Sequence, residues 1–241
     1  MNIEKTKREC YKIAEKYYPL DSPSSFAIFH NLFKEYLTKD KRLLNAGCGT
    51  GKENIIYKEL LELAVGVDMD QDSLKQNNLY NLLINTNLER LPFQDESFDI
   101  IISQDVLEHL ENPHTVFKEF ARVLKKGGSL VFLTPNVYGY VSIFSMLTPT
   151  KFHVFYNGLR GQKESDIFPT YYRANSKRAL KKLCEETGFN KKELITFQKW
   201  PSYLILSKTL FRIGIFYERL INRFRIFSSF RSVIIASFEK L

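Results

Sequence analysis

The sequence predicts an α/β fold, a mostly parallel sheet with helices on both faces, and three observations carry that reading. Short apolar runs of strand length alternate with helix-spaced segments between residues 42 and 136. A glycine-rich turn, Gly47-Cys48-Gly49-Thr50-Gly51, follows the first of these strands and opens the next segment. The run Phe98-Asp99-Ile100-Ile101-Ile102-Ser103 is apolar enough for a buried strand. Repeated strand–helix alternation places ligands at the carboxyl ends of the strands.

Each element follows from its own pattern. Residues 3–18 and 24–38 space apolar side chains as helices do, as with Phe26, Phe29, Phe33 and Leu37. Residues 42–46 read as a strand, 51–63 as a helix, 64–67 as a strand, 72–78 as a short helix and 82–84 as a strand. After the strand at 98–103 comes a helix over 112–124 with Val116, Phe120 and Val123 on one face. Gly127-Gly128 is expected to end it, before a strand at 130–133. Residues 137–170 are aromatic-rich and irregular. A helix follows over 176–187, with Ala179, Leu180, Leu183 and Cys184 inward and Gly188 closing it. A strand at 194–197, a long apolar and basic helical segment over 201–227 and a last strand at 233–238 complete the chain. The whole reads as one domain: N-terminal helices at 1–41, a core at 42–136, an acceptor or lid insert at 137–175, and C-terminal helices and strands at 176–241.

Composition limits the function. Of 241 residues, 44% are hydrophobic and 26% charged, which is ordinary for a soluble globular protein. Three cysteines without a CxxC pair argue against a disulfide framework or a zinc site, and no metal is expected. They fit a reducing cytoplasm, and the N-terminus has no apolar signal region. Residues 127–150 carry no charge, but Gly127-Gly128, Pro135 and Pro149 favour a strand and a buried helix over a membrane span. Charge is unevenly divided. Residues 1–150 hold 17 Lys/Arg against 20 Asp/Glu, and residues 151–241 hold 18 against 7. The basic half suggests an anionic partner such as a membrane surface, a phosphate-bearing substrate or nucleic acid; solubility is the plain alternative.

The glycine turn carries the sharpest chemistry. Glycines at 47, 49 and 51 let the backbone turn tightly and approach a ligand. The next strand, Val65-Gly66-Val67, ends at Asp68, whose carboxylate can take both hydroxyls of a ribose. Such a pair is a nucleoside-binding constellation, although the glycines could merely shape a turn and Asp68 could cap the following helix. The GxGxG spacing, rather than GxGxxG, opposes a dinucleotide pyrophosphate. In order, the chain then shows Asn45-Ala46-Gly47-Cys48-Gly49-Thr50-Gly51, Gly66-Val67-Asp68, Leu91-Pro92-Phe93, Ser97-Phe98-Asp99, Val106-Leu107-Glu108-His109 and Leu124-Lys125-Lys126-Gly127-Gly128. This ordered set, covering 42–136, resembles the class I S-adenosylmethionine-dependent methyltransferases, in the branch that includes ubiquinone-biosynthesis enzymes. The resemblance implies a Rossmann-like seven-stranded, mostly parallel sheet with helices on both faces and helical or aromatic insertions in the second half.

It also implies roles. Gly47, Gly49 and Gly51 border the methionine part of S-adenosylmethionine, with Asn45 behind them. Asp68 holds the ribose and Met69 lies against the adenine. Asn87 and Leu88 meet the adenine edge, and Gln104 and Asp105, with Ser103, end the fourth strand beside the methionine portion. Two positions depart from the family: Asn45 and Asn87 stand where acidic residues are common, which removes negative charge near a cationic cofactor. Cys48 reads as a packing residue.

Methyl transfer needs alignment and exclusion of water, and a base where the acceptor is a hydroxyl. His109, just after the fourth strand, is the candidate base; His153, within the aromatic insert beside Tyr156, Tyr171 and Tyr172, is a second. Thr134-Pro135-Asn136, residues 168–175 (Phe-Pro-Thr-Tyr-Tyr-Arg-Ala-Asn) and Tyr217-Glu218-Arg219-Leu220 resemble methyltransferases of bacterial polysaccharide clusters. That resemblance implies a glycan or lipid-linked glycan acceptor, with Arg173 placed to meet a phosphate or carboxylate. A quinone-type or other small-molecule acceptor is the alternative, and a non-catalytic S-adenosylmethionine-binding module is the reading of another class. The strand end Ser103-Gln104-Asp105-Val106 lacks the Pro-Pro-Tyr tetrads of base methylation, so no nucleic-acid acceptor is expected. Residues 203–226 are expected to form a basic amphipathic helix that meets a membrane surface or lipid-linked substrate, giving a cytoplasmic protein peripheral to the membrane.

Overall fold

A computed structural model describes residues 3–19, 24–51, 56–161 and 168–241. The chain divides into two compact units: a sheet unit of residues 26–134, 170–195 and 234–241, and a helical unit of residues 1–25, 135–169 and 196–233.

Among the described residues, seven strands form one mixed, mostly parallel sheet. They are β1 (Arg42–Ala46), β2 (Leu63–Asp68), β3 (Leu82–Asn85), β4 (Phe98–Gln104), β5 (Leu124–Pro135), β6 (Phe189–Phe197) and β7 (Val233–Lys240), in the order β3-β2-β1-β4-β5-β7-β6. β1 runs parallel to both β2 and β4, and its last four residues are buried on both faces. The chain leaves β1 toward β3 and returns at β4, so the strand order reverses between β1 and β4. A crevice at the carboxyl ends of these two strands is where such a sheet binds ligands. The core joins Leu44, Val65 and Ile101 of the sheet to α5 (Pro113–Val123) and α8 (Lys177–Glu186). On α5, Val116, Phe117, Phe120 and Val123 are all buried, and Gly188 turns the chain after α8 at φ +87°.

Several elements differ from the sequence reading. The helix expected over 24–38 is α2 (Ser25–Asn31) followed by a 3-10 turn at Lys34–Tyr36. Leu32 and Phe33 donate to carbonyls three residues back, which tightens the turn and brings the Phe29 and Phe33 rings edge to face at 5.1 Å. Of the helix expected over 51–63, residues 52–55 lie outside the described residues, and only α3 (Tyr57–Leu60) is seen before β2 begins at Leu63. The short helix expected at 72–78 is α4 (Gln71–Gln76). Gly127-Gly128 does not end a helix. α5 stops at Val123, β5 starts at Leu124, and the glycines form an excursion within that strand: Phe98 pairs with Leu124, but Ile100 pairs with Ser129. β6 begins at Phe189 rather than 194, because an edge strand keeps polar side chains in water and shows no apolar run there.

The helical unit contains α1 (Ile3–Tyr17), α6 (Tyr140–Leu147), α7 (Thr150–Arg160) and α9 (Lys208–Arg223). The stretch read as irregular, 137–170, is therefore largely helical, with residues 162–167 outside the description. The long segment over 201–227 breaks into a 3-10 turn (Ser202–Leu204), α9 and a second 3-10 turn (Arg225–Phe230). Ser207 starts α9 by accepting the Leu210 N–H. A small core of Cys10, Ala14, Ile205, Phe211 and Ile215, lined by Trp200, holds α1 to α9. No helix among the described residues is long and apolar enough to cross a membrane.

Candidate functional site

The predicted cofactor residues all fall in the sheet unit. At the end of β1 the chain turns at once. The N–H groups of Gly47 and Cys48 donate to the Val67 carbonyl at 2.8 and 3.0 Å, which folds the glycine turn over the end of β2. Gly47, Gly49 and Gly51 all have positive φ, at +82°, +48° and +72°. Two of them are needed for different reasons. A Cβ on Gly47 would sit 2.2 Å from Val106 Cγ2, whereas a Cβ on Gly49 would point into open space with no atom within 4 Å. The first keeps the turn against the end of β4, and the second leaves a backbone face bare for a ligand.

Asp68, at the tip of β2, holds this turn. Its Oδ2 accepts the Gly49 N–H at 2.8 Å and its Oδ1 accepts the Asp70 N–H at 2.9 Å. It is not the cap of α4: Asp70 does that, accepting from Asp72 N–H and from the Ser73 hydroxyl. Each carboxylate oxygen can accept a further hydrogen bond. The Thr86 N–H donates to the Asp68 carbonyl, and the Asn85 amide donates to the Met69 carbonyl at 2.8 Å, so the loops after β2 and β3 lie side by side. Met69 is 74% exposed. Asn87 is exposed, with its Oδ1 accepting the Glu89 N–H, while Leu88 is a core residue. Asn45 is buried and donates to the Tyr80 hydroxyl at 2.5 Å, which ties it into the sheet.

Sequence reasoning missed Asn77. Its buried amide donates to the Gly49 carbonyl at 2.9 Å and accepts the Leu79 N–H at 3.1 Å, linking the end of α4 to the glycine turn. No local pattern signals this, because the partner lies 28 positions away.

At the end of β4, Asp105 adopts φ +53° while its N–H donates to the Leu133 carbonyl. Gln104 has a buried Oε1 without a hydrogen-bond partner among the described residues. The 3-10 turn Leu107–His109 follows. Within it Glu108 is buried and accepts from the Thr134 hydroxyl at 3.2 Å, which in turn accepts from Asn175 at 2.7 Å. His109 Nε2 lies 3.8 Å from Glu108 Oε1, with the ring partly exposed. The Glu108 carbonyl accepts the N–H groups of Tyr171 and Tyr172, and Tyr171 donates its hydroxyl to Glu111 at 2.6 Å, which raises the Tyr171 pKa. Residues 170–175 are thus latched to the turn that carries His109. Arg173, expected to meet an anionic acceptor, donates to the Glu111 carbonyl and stacks on Tyr171, so part of its donor set is already used. The His153 side chain lies outside the described residues.

The three loops at this edge, residues 45–51, 66–70 and 103–109, contain four carboxylates, of which Glu108 is buried, and no Lys or Arg. Such a rim suits a cationic ligand even with asparagine at 45 and 87. The bare Gly49 backbone, the two-oxygen acceptor Asp68 and the unsatisfied Gln104 oxygen fit a nucleoside with a polar, positively charged tail.

Comparison with known proteins agrees. Residues 44–132 match the family described as methyltransferase domain. An uncharacterized protein of Methanocaldococcus jannaschii is 35% identical over 91 residues, covering 37% of this chain and 42% of that protein. The demethylmenaquinone methyltransferase of Listeria welshimeri is 29% identical over 161 residues, covering 59% of this chain and 68% of that enzyme. The chain thus spans under half the length of the first relative. Among solved structures, the geranyl diphosphate C-methyltransferase of Streptomyces coelicolor, in complex with S-adenosyl-L-homocysteine, superposes with TM-score 0.57 at 14% identity, over 89% of this chain and 77% of that one. Over residues 44–132 the chain matches the methyltransferase-domain family, and the sheet built from that stretch has the fold of the solved methyltransferases.

Proposed function

We propose that the protein is a methyltransferase that binds S-adenosylmethionine at the carboxyl ends of β1, β2 and β4 and methylates a hydroxyl of a glycan or lipid-linked glycan. The observation that carries the cofactor half is Asp68, a carboxylate fixed by two backbone N–H groups beside the bare Gly49. In this reading Asp68 accepts the ribose hydroxyls, Met69 and Leu88 flank the adenine, and Asn87 meets its amino group. Gly47, Gly49 and Gly51 border the methionine part, with the open face at Gly49, and Gln104 and Asp105 face its polar end. When bound, S-adenosylmethionine supplies an activated methyl on a sulfonium. The chain's own task is then alignment, exclusion of water and acceptance of the hydroxyl proton, for which His109 is the candidate.

The acceptor half is supported by the resemblance of residues 168–175 to glycan-cluster enzymes and by the latching of residues 170–175 beside His109. A second reading, a quinone acceptor, is favoured by the demethylmenaquinone methyltransferase relative. Calorimetry with S-adenosylmethionine tests the cofactor. Transfer of labelled methyl to lipid-linked glycan extracts, set against demethylmenaquinone, separates the two acceptors. Binding without transfer to any acceptor would leave the non-catalytic module.

A further inference from the structure

α9 has two apolar faces. One is covered: Phe211, Gly214, Ile215 and Ile221 are buried, and Phe211 and Ile215 pack with Cys10, Ala14 and Trp200. The other is bare. Leu210, Ile213, Phe216 and Leu220 are exposed at helical spacing, Phe216 by 70%. Phe224, Ile226, Phe227 and Phe230 continue the exposed row through the 3-10 turn, Ile226 by 81%. Beside the row, Lys208, Arg212, Arg219 and Arg223 share one stripe of the helix. Lys208 pairs with Glu9 and Arg219 lies over Tyr17; Arg212, Arg223 and Arg225 have no ion pair among the described residues.

Residues 196–233 hold seven Lys/Arg and one carboxylate, Glu218, which accepts from Tyr18 and Asn222. We propose that this face docks α9 and the following turn in the plane of an anionic lipid bilayer, its apolar row reaching below the headgroups and its arginines meeting them. Charge decides the occupant. A second copy of the chain docked face to face would set arginine stripe near arginine stripe with no spare carboxylate in the segment, whereas anionic headgroups complement the stripe directly. A continuous apolar row flanked by cations is the pattern of a helix lying at a membrane interface. The inference does not rest on the methyl-transfer reading.

The test is co-sedimentation of the full chain with vesicles of phosphatidylcholine alone or mixed with phosphatidylglycerol, at low and high salt. Light scattering gives the mass in solution. Pelleting with the anionic vesicles at low salt, and release at high salt, is expected. R212E with R223E should weaken partitioning at least on the order of tenfold, and I213D with F216D should do likewise. Thermal melts of the variants check folding; all four side chains are exposed. A chain that stays in the supernatant at low salt, variants that bind like the parent, or a dimer that I213D with F216D splits would each overturn the proposal.

Discussion

Asp68 cannot swing away from the glycine turn, because both of its oxygens are held by backbone N–H groups. Its substitution therefore tests the site directly. Asp68→Ala should lower S-adenosylmethionine affinity by about tenfold to a hundredfold, the loss of charge-assisted hydrogen bonds worth roughly 1–3 kcal/mol, read by calorimetry on protein whose melt confirms folding. Unchanged affinity would remove Asp68 from the site. His109→Ala should slow turnover by no more than about 10⁴-fold, the usual limit of general-base help, with cofactor affinity kept; a larger loss in folded protein would mean that His109 does more than take a proton. At this scale the sequence was legible wherever the geometry is local. Gly47, Gly49 and Asp68 announce themselves because a tight turn and a strand tip need those residue types. Asn77, Glu108, Thr134 and Asn175 do not, since each is defined by a partner distant in sequence: Glu108 meets Thr134, and Thr134 meets Asn175. The Asn45 amide likewise meets a distant partner, the Tyr80 hydroxyl.

Among elements, the loop Leu91-Pro92-Phe93 is fastened to α5 by Glu119 and Arg122, which pair with each other, and Arg122 also pairs with Asp95. Glu119 accepts the Leu91 N–H, and Arg122 donates to Glu119 and to the carbonyls of Leu91 and Phe93. Arg122→Ala should destabilise the protein by roughly 2–3 kcal/mol, since it strands partly buried acceptors, and a denaturant midpoint measures it. Hydrogen bonding to Arg122 holds the Glu119 carboxyl below its usual pKa. A lowered folded-state pKa means that Glu119 stabilises the fold above its unfolded value, about 4.3. That contribution should fade as pH falls through the lower folded value, and Glu119→Gln should flatten the acid limb of the stability curve. Element boundaries were legible where burial set the pattern, as in β1, β4, α5 and α8. They were misread where burial does not. β6 is a polar edge strand, Gly127-Gly128 bends a strand rather than ending a helix, and the aromatic stretch after β5 forms α6 and α7 although Pro149 and its apolar surface obscure the helical period.

At the scale of the molecule, two cores do separate work. The larger surrounds the sheet and positions the candidate site; the smaller joins α1 to α9. A ligand held by the sheet unit must stabilise the folded chain by mass action. S-adenosyl-L-homocysteine at a hundred times its Kd should add about 2.7 kcal/mol, which raises the melting midpoint by roughly 5–10 °C for a chain of this size. A midpoint unmoved at saturating ligand would contradict the cofactor assignment. The charge division also acquires a structural meaning. Four carboxylates lie in the loops at the strand ends of the sheet unit, and the cations of residues 196–233 sit on the helical unit, so the two units present different chemistry.

The glycine turn is tied down on both sides of one residue: the Gly49 N–H goes to Asp68 and its carbonyl takes the Asn77 amide. A loop so tethered has little left to freeze when a ligand arrives. Amide hydrogens at Gly47, Cys48 and Gly49 should therefore exchange slowly in the free protein and gain little further protection on saturation, and association should proceed in a single phase without a slow rearrangement. The chain has placed the ordering of this loop in its own folding reaction, so recognition there becomes a matter of encounter rather than of conformational search.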